Sequence, residues 1–96
     1  MIELKAAEVS FYSEIDEAVF FEWLDKLTCV NKVYGKGMDI VIEVLDQEID
    51  ESELREILAI FYRYEVDMKQ LVCFNCNKFS SWFHDVNSYW YKEIFE

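Results

Sequence analysis

A chain of 96 residues that is 53% hydrophobic is long enough to bury a core and too apolar to stay disordered, which predicts a single domain. Twenty acidic side chains against nine lysines and arginines leave a net charge of −11, which disfavours phosphate backbones and anionic membranes as partners and favours basic proteins. Three cysteines do not make a disulfide framework, no stretch approaches the ~20 apolar residues of a bilayer span, and MIELKAAEVS lacks the basic start and apolar run of a signal peptide. These features together predict a cytoplasmic protein with reduced thiols.

Residues 2–12, IELKAAEVSFY, are strand-like up to Val9, Phe11 and Tyr12, since β-branched and aromatic residues suit a pleated surface. Ser13 followed by Asp16 marks a helix start. Phe20, Trp23, Leu24 and Leu27 then recur at helical spacing, predicting a first helix over 14–27 with Glu22 and Lys26 as an i, i+4 pair. Cys29 to Tyr34 reads as a strand, and Gly35-Lys36-Gly37 as a turn into the strand 38–45. In that strand Ile40, Ile42 and Val44 line a core face, while Asp39, Val41, Glu43 and Leu45 line a mixed one.

The best-specified element is IDESELREILAIFYRY, residues 49–64. Asp50 as N-cap and Glu53 three residues later form a capping box, and Ile49 with Leu54 forms the hydrophobic staple. Leu54, Ile57, Leu58 and Phe61 then give one apolar face. The same logic repeats with Asp67 and Gln70, and with Val66 and Leu71, so MKQLVCFN reads as a short helix with a fourth strand as the alternative. Phe79, Trp82, Phe83, Val86, Trp90 and Ile94 return at helical spacing, as one long helix or as two short ones bent near Asn87-Ser88. The order predicts an α+β fold: a small antiparallel sheet of about three strands, helices packed on one face, and a helical C-terminal third.

Chemistry-bearing residues are sparse. Cys73 and Cys76 form a CxxC, and Cys29, Cys73, Cys76 and His84 total four ligands of the type zinc takes. Only one pair is close in sequence, so ordinary free cysteines are the simpler reading, and no metal or cofactor is expected. Asp46, Glu48 and Asp50 alternate like a calcium loop, but Glu51 stands where glycine is needed and Ile57 where a bidentate glutamate is needed. No phosphate loop, dinucleotide fingerprint, zinc-protease motif or nucleophile elbow occurs, and a non-enzyme is expected.

The residues that stand out are the acidic run Glu43, Asp46, Glu48, Asp50, Glu51 and Glu53, continuing to Glu56 with Arg55 as the one base, and the rings of Tyr62, Tyr89 and Tyr91. Carboxylates steer cationic partners, and tyrosines are common anchors of binding surfaces. In size, charge and acid-plus-tyrosine composition the chain resembles the immunity proteins with which bacteria neutralise basic nuclease toxins. That resemblance implies a non-catalytic inhibitor in which carboxylates of the 43–56 segment cover a nuclease's phosphate-binding lysines and arginines. Two other classes remain open: a structural or adaptor subunit or homodimer through the aromatic C-terminal helix, and a zinc or thiol protein using Cys29, Cys73, Cys76 and His84.

Overall fold

A computed structural model describes all residues from Met1 to Glu96. Three antiparallel strands, β1 (Ile2–Ala7), β2 (Val30–Lys36) and β3 (Asp39–Val44), form a sheet of order β1-β3-β2. Helices α1 (Glu14–Asp25) and α2 (Glu51–Arg63) are followed by a 3-10 helix (Met68–Phe74) and two short helices, α3 (Ser80–Phe83) and α4 (Tyr91–Phe95). This is the small α+β fold that the order of elements predicts. No helix is long and apolar enough to cross a membrane.

Strand alternation sorts the two faces of the sheet. Leu4 and Ala6 of β1 and Ile42 and Val44 of β3 are buried in a cluster of 22 residues shared with the helices. The other face carries Glu3 and Lys5 on β1, Lys32, Tyr34 and Lys36 on β2, and Asp39, Val41 and Glu43 on β3. Val41 is buried there between Lys5 and Tyr34, its partners across the ladder. The charged residues of the three strands are three acids and three lysines, so the sheet is electrically balanced.

The first strand is shorter than its composition suggests. Glu8 adopts a left-handed backbone (φ 54°) that ends the ladder. Val9 and Phe11 then pack back on the core from a loop, with Phe11 edge-on to Phe20 at 5.3 Å. The β2–β3 turn lies one residue later than expected. Lys36 still pairs with Asp39, and Gly37 (φ 63°) takes the left-handed position of a two-residue hairpin that glycine suits. Asn31 forms a bulge between Val30 and Lys32, and its amide donates to Glu43 at 3.1 Å.

Both long helices start as their sequences specify. The Ser13 hydroxyl accepts from the backbone N–H of Asp16, and the Asp50 carboxylate from that of Glu53. Ile49 and Leu54, the staple pair, are both buried. Helix α2 ends in a Schellman motif: Val66 N–H donates to Phe61 O at 3.0 Å and Glu65 N–H to Tyr62 O at 3.4 Å, with Glu65 left-handed (φ 55°) between them.

Residues 68–74 are helical, which removes the strand alternative, but they wind as a 3-10 helix. Gln70 turns its side-chain amide onto β1, accepting from Lys5 N–H and donating to Lys5 C=O, each at 2.8 Å. In the C-terminal third the chain breaks between His84 and Trp90, giving the two short helices. Phe83, Trp90 and Ile94 point inward, and the Trp90 indole N–H donates to Phe83 C=O at 2.7 Å.

Candidate functional surface

Most carboxylates of the 43–56 segment have internal partners. Asp50 caps α2. Glu51 pairs with Arg55 at 3.0 Å, Asp46 with the amino group of Met1 at 3.3 Å, and Glu43 accepts from Asn31. Glu53 is the most committed: one carboxylate oxygen accepts from Cys29 N–H at 2.7 Å, the other from Thr28 N–H at 2.8 Å and its hydroxyl at 2.9 Å. The reciprocal half of the expected capping box, in which Glu53 would reach back to Asp50, gives way to a clasp on the entrance to β2. Partial burial pushes the Glu53 carboxyl up, but the bonds from Cys29 and Thr28 together outweigh it and hold the group below the ordinary glutamate range. Among the acids singled out from the sequence here, Glu48 alone has neither a hydrogen bond nor an ion pair.

The tyrosines divide. Tyr62 and Tyr89 meet edge-to-face at 4.9 Å, both half-exposed, beside a shallow depression lined also by Ala59, Arg63 and Glu65. Tyr91 lies apart on α4, against His84 and Phe95 at 5.2 Å each. Trp82 is roofed by the Arg55 guanidinium 4.2 Å above its ring. The rings that a dimer through the C-terminal helix would use are therefore largely engaged within the chain.

The four possible zinc ligands do not converge, and no group of three or more His, Cys, Asp or Glu side chains is placed to hold an ion. Cys29 is buried under the sheet, whereas Cys73 and Cys76 are exposed. Burial, and then the neighbouring Glu53 carboxylate, pushes the Cys29 thiol up to about 12. His84 is exposed and meets Tyr91 edge-on at 5.2 Å and Phe95 at a tilt at 4.5 Å.

The feature that sequence reasoning passed over is the outward side of α1. Its inward residues Phe20 and Leu24 are buried as the spacing predicts. Yet Ile15 is 76% exposed and Val19, four residues on, 42%, while Tyr12 just before the helix is 87% exposed. Ala18 lies exposed on the same side. Within Glu14–Asp25 there are five acids and no base, and Glu14, Glu17, Glu22 and Asp25 have no side-chain hydrogen bond or ion pair. The Glu22–Lys26 pair is not formed. At the start of α1 a recess of about 580 Å³ opens, bordered by Tyr12, Asp16, Tyr64 and the two left-handed glutamates, Glu8 and Glu65, with Arg63 as its one cation. Two cues for this surface were present in the sequence: apolar residues off the Phe20–Leu24 stripe, and a helix of one charge sign.

Comparison with known protein families, with curated proteins and with solved structures finds no match to this chain.

Proposed function

We propose that this is a non-catalytic protein-binding domain that recognises a basic protein and acts by covering its cationic surface. One observation carries the reading: none of the twenty acidic side chains is buried, and only Asp46 and Glu51 form ion pairs. Most of the negative charge is thus left for solvent or a partner, and such a field accelerates encounter with cations while repelling nucleic acid and anionic lipid. Neutralising a nuclease-type toxin is the specific form we favour, because enzymes that grip phosphate backbones expose the lysines and arginines this surface complements. Cys29, the one cysteine in the core, is strongly held as a thiol, which favours a binding role over thiol chemistry at that position.

Affinity capture from native lysate at low ionic strength tests the proposal. It expects a basic protein to be retained and released by salt, with an association rate that falls steeply as ionic strength rises. Retention of acidic or neutral proteins only, or binding indifferent to salt, would exclude it.

A further inference from the structure

We infer that the docking surface is the outward side of α1, and that its occupant is a segment of a partner protein carrying lysine or arginine around a small apolar anchor. This rests on the reading of the molecule as an acidic binding domain and names the place and chemistry of the contact.

Stability does not account for α1. An amphipathic helix exposes its polar side, as α2 does by burying Leu54, Ile57, Leu58, Ile60 and Phe61 along one stripe. Helix α1 instead buries Phe20 and Leu24 on one side and leaves Ile15 and Val19 in water on the other. Glu22 and Asp25 occupy its last turn, where the helix dipole favours cations, and the only base at that end is the C-cap Lys26, which pairs with neither. Sequence choices that oppose local stability mark surfaces kept for function.

The other exposed apolar side chains lack this combination. Met38 stands alone at the hairpin tip and Val86 alone in a loop, and single exposures of this kind are ordinary. Tyr62 and Tyr89 already contact one another.

Charge selects the occupant. A second copy would set the carboxylates of Glu14, Glu22 and Asp25 against their own counterparts across one contact, and lipid or nucleic acid would add phosphate to them. A cationic segment meets Glu14, Glu22 and Asp25 around Ile15 and Val19, and the recess beside Tyr12 has room for a long basic side chain. An apolar centre within a charged rim is the ordinary anatomy of a protein interface.

The test uses two probes on the intact protein at low salt: an amphipathic lysine–leucine peptide, and polylysine of equal charge. Amide chemical shifts should move most over residues 12–25 when the amphipathic peptide is added. The double variant Ile15→Gln, Val19→Gln should bind that peptide about tenfold more weakly, with polylysine binding unchanged. Glutamine is a good helix former, so circular dichroism and the thermal midpoint should match the parent. A second variant, Glu22→Gln with Asp25→Gln, should weaken both probes. Shifts centred on residues 43–56 or on Tyr62 and Tyr89, or unaltered peptide affinity in the apolar variant, would overturn the inference while leaving the acidic-binding reading intact. Failure of both probes to bind would overturn both. A parent that sediments as a dimer, with a monomeric Ile15→Gln, Val19→Gln variant, would assign the surface to a second copy and also overturn it.

Discussion

Glu53 shows how one side chain can be fully legible in one role and invisible in another. Its position three residues after Asp50 identifies the helix start. Its actual partners, Thr28 and Cys29, lie 25 and 24 residues earlier in the chain, beyond the reach of any local pattern. The carboxylate ties the start of α2 to the start of β2, and as an acid in the first turn it also complements the helix dipole. Replacing it by glutamine keeps the shape but puts an NH2 group where an acceptor is required. Urea unfolding of Glu53→Gln should reveal a loss of about 2 kcal/mol, the usual worth of hydrogen bonds to a charged group. The pH dependence follows from the lowered carboxyl. In the unfolded chain the group protonates first on acidification, so its stabilising contribution is complete above the ordinary glutamate range and is lost as pH falls through the lower folded value. The parent should therefore lose stability relative to the glutamine variant as pH falls across that window. Parallel curves for the two proteins would show that the clasp does not hold in solution.

At the scale of the element, most of what the chain spells locally forms, the Glu22–Lys26 pair and the return half of the α2 capping box being the exceptions. The N-caps of α1 and α2, the staple and the alternation of β3 are all contacts within a few residues, and all are present. Boundaries shift where the backbone enters the left-handed region. Glu8 ends β1 early, and Glu65 occupies the position after the α2 C-cap that glycine usually fills. A side chain there costs about 1 kcal/mol relative to glycine. Glu65→Gly is accordingly expected to raise stability by about 0.5–1 kcal/mol, measurable as a higher thermal midpoint. A lower midpoint would mean that the Glu65 side chain makes a compensating contact. The aromatic C-terminal third was harder to read. Its helical spacing is real, but the rings satisfy their packing by folding back on one another, Trp82 against Trp90 at 5.8 Å and Phe83 against Phe95 at 5.4 Å, which two short helices permit.

Across the whole molecule, the charge divides unevenly among the elements. The strands balance, whereas α1 alone holds five acids without a base. The acidic run before α2, conspicuous as a string of letters, is mostly engaged by its own surroundings. What the composition conveyed was the sign and size of the field. Where that field is unneutralised depended on which carboxylates find partners across the fold, and sequence spacing does not contain that information. With two ion pairs to weaken and many unpaired carboxylates to screen, added salt should relieve more repulsion than attraction. The thermal midpoint at neutral pH should thus climb as sodium chloride is raised from ~10 mM to ~300 mM, a range over which the Debye length falls from about 30 Å to below 8 Å. A falling midpoint would point instead to attractive pairs as the dominant electrostatic term.

The Gln70 amide lying on Lys5 bears on how such a chain avoids itself. A border strand with free peptide groups invites another strand to zip alongside, and an apolar patch elsewhere would bring chains close enough to try. By occupying both backbone groups of Lys5, near the middle of that border, the glutamine imitates a single rung of a neighbouring ladder and then stops. An incoming strand would have to dislodge it before continuing past the midpoint, so fibril growth along this border is interrupted from within.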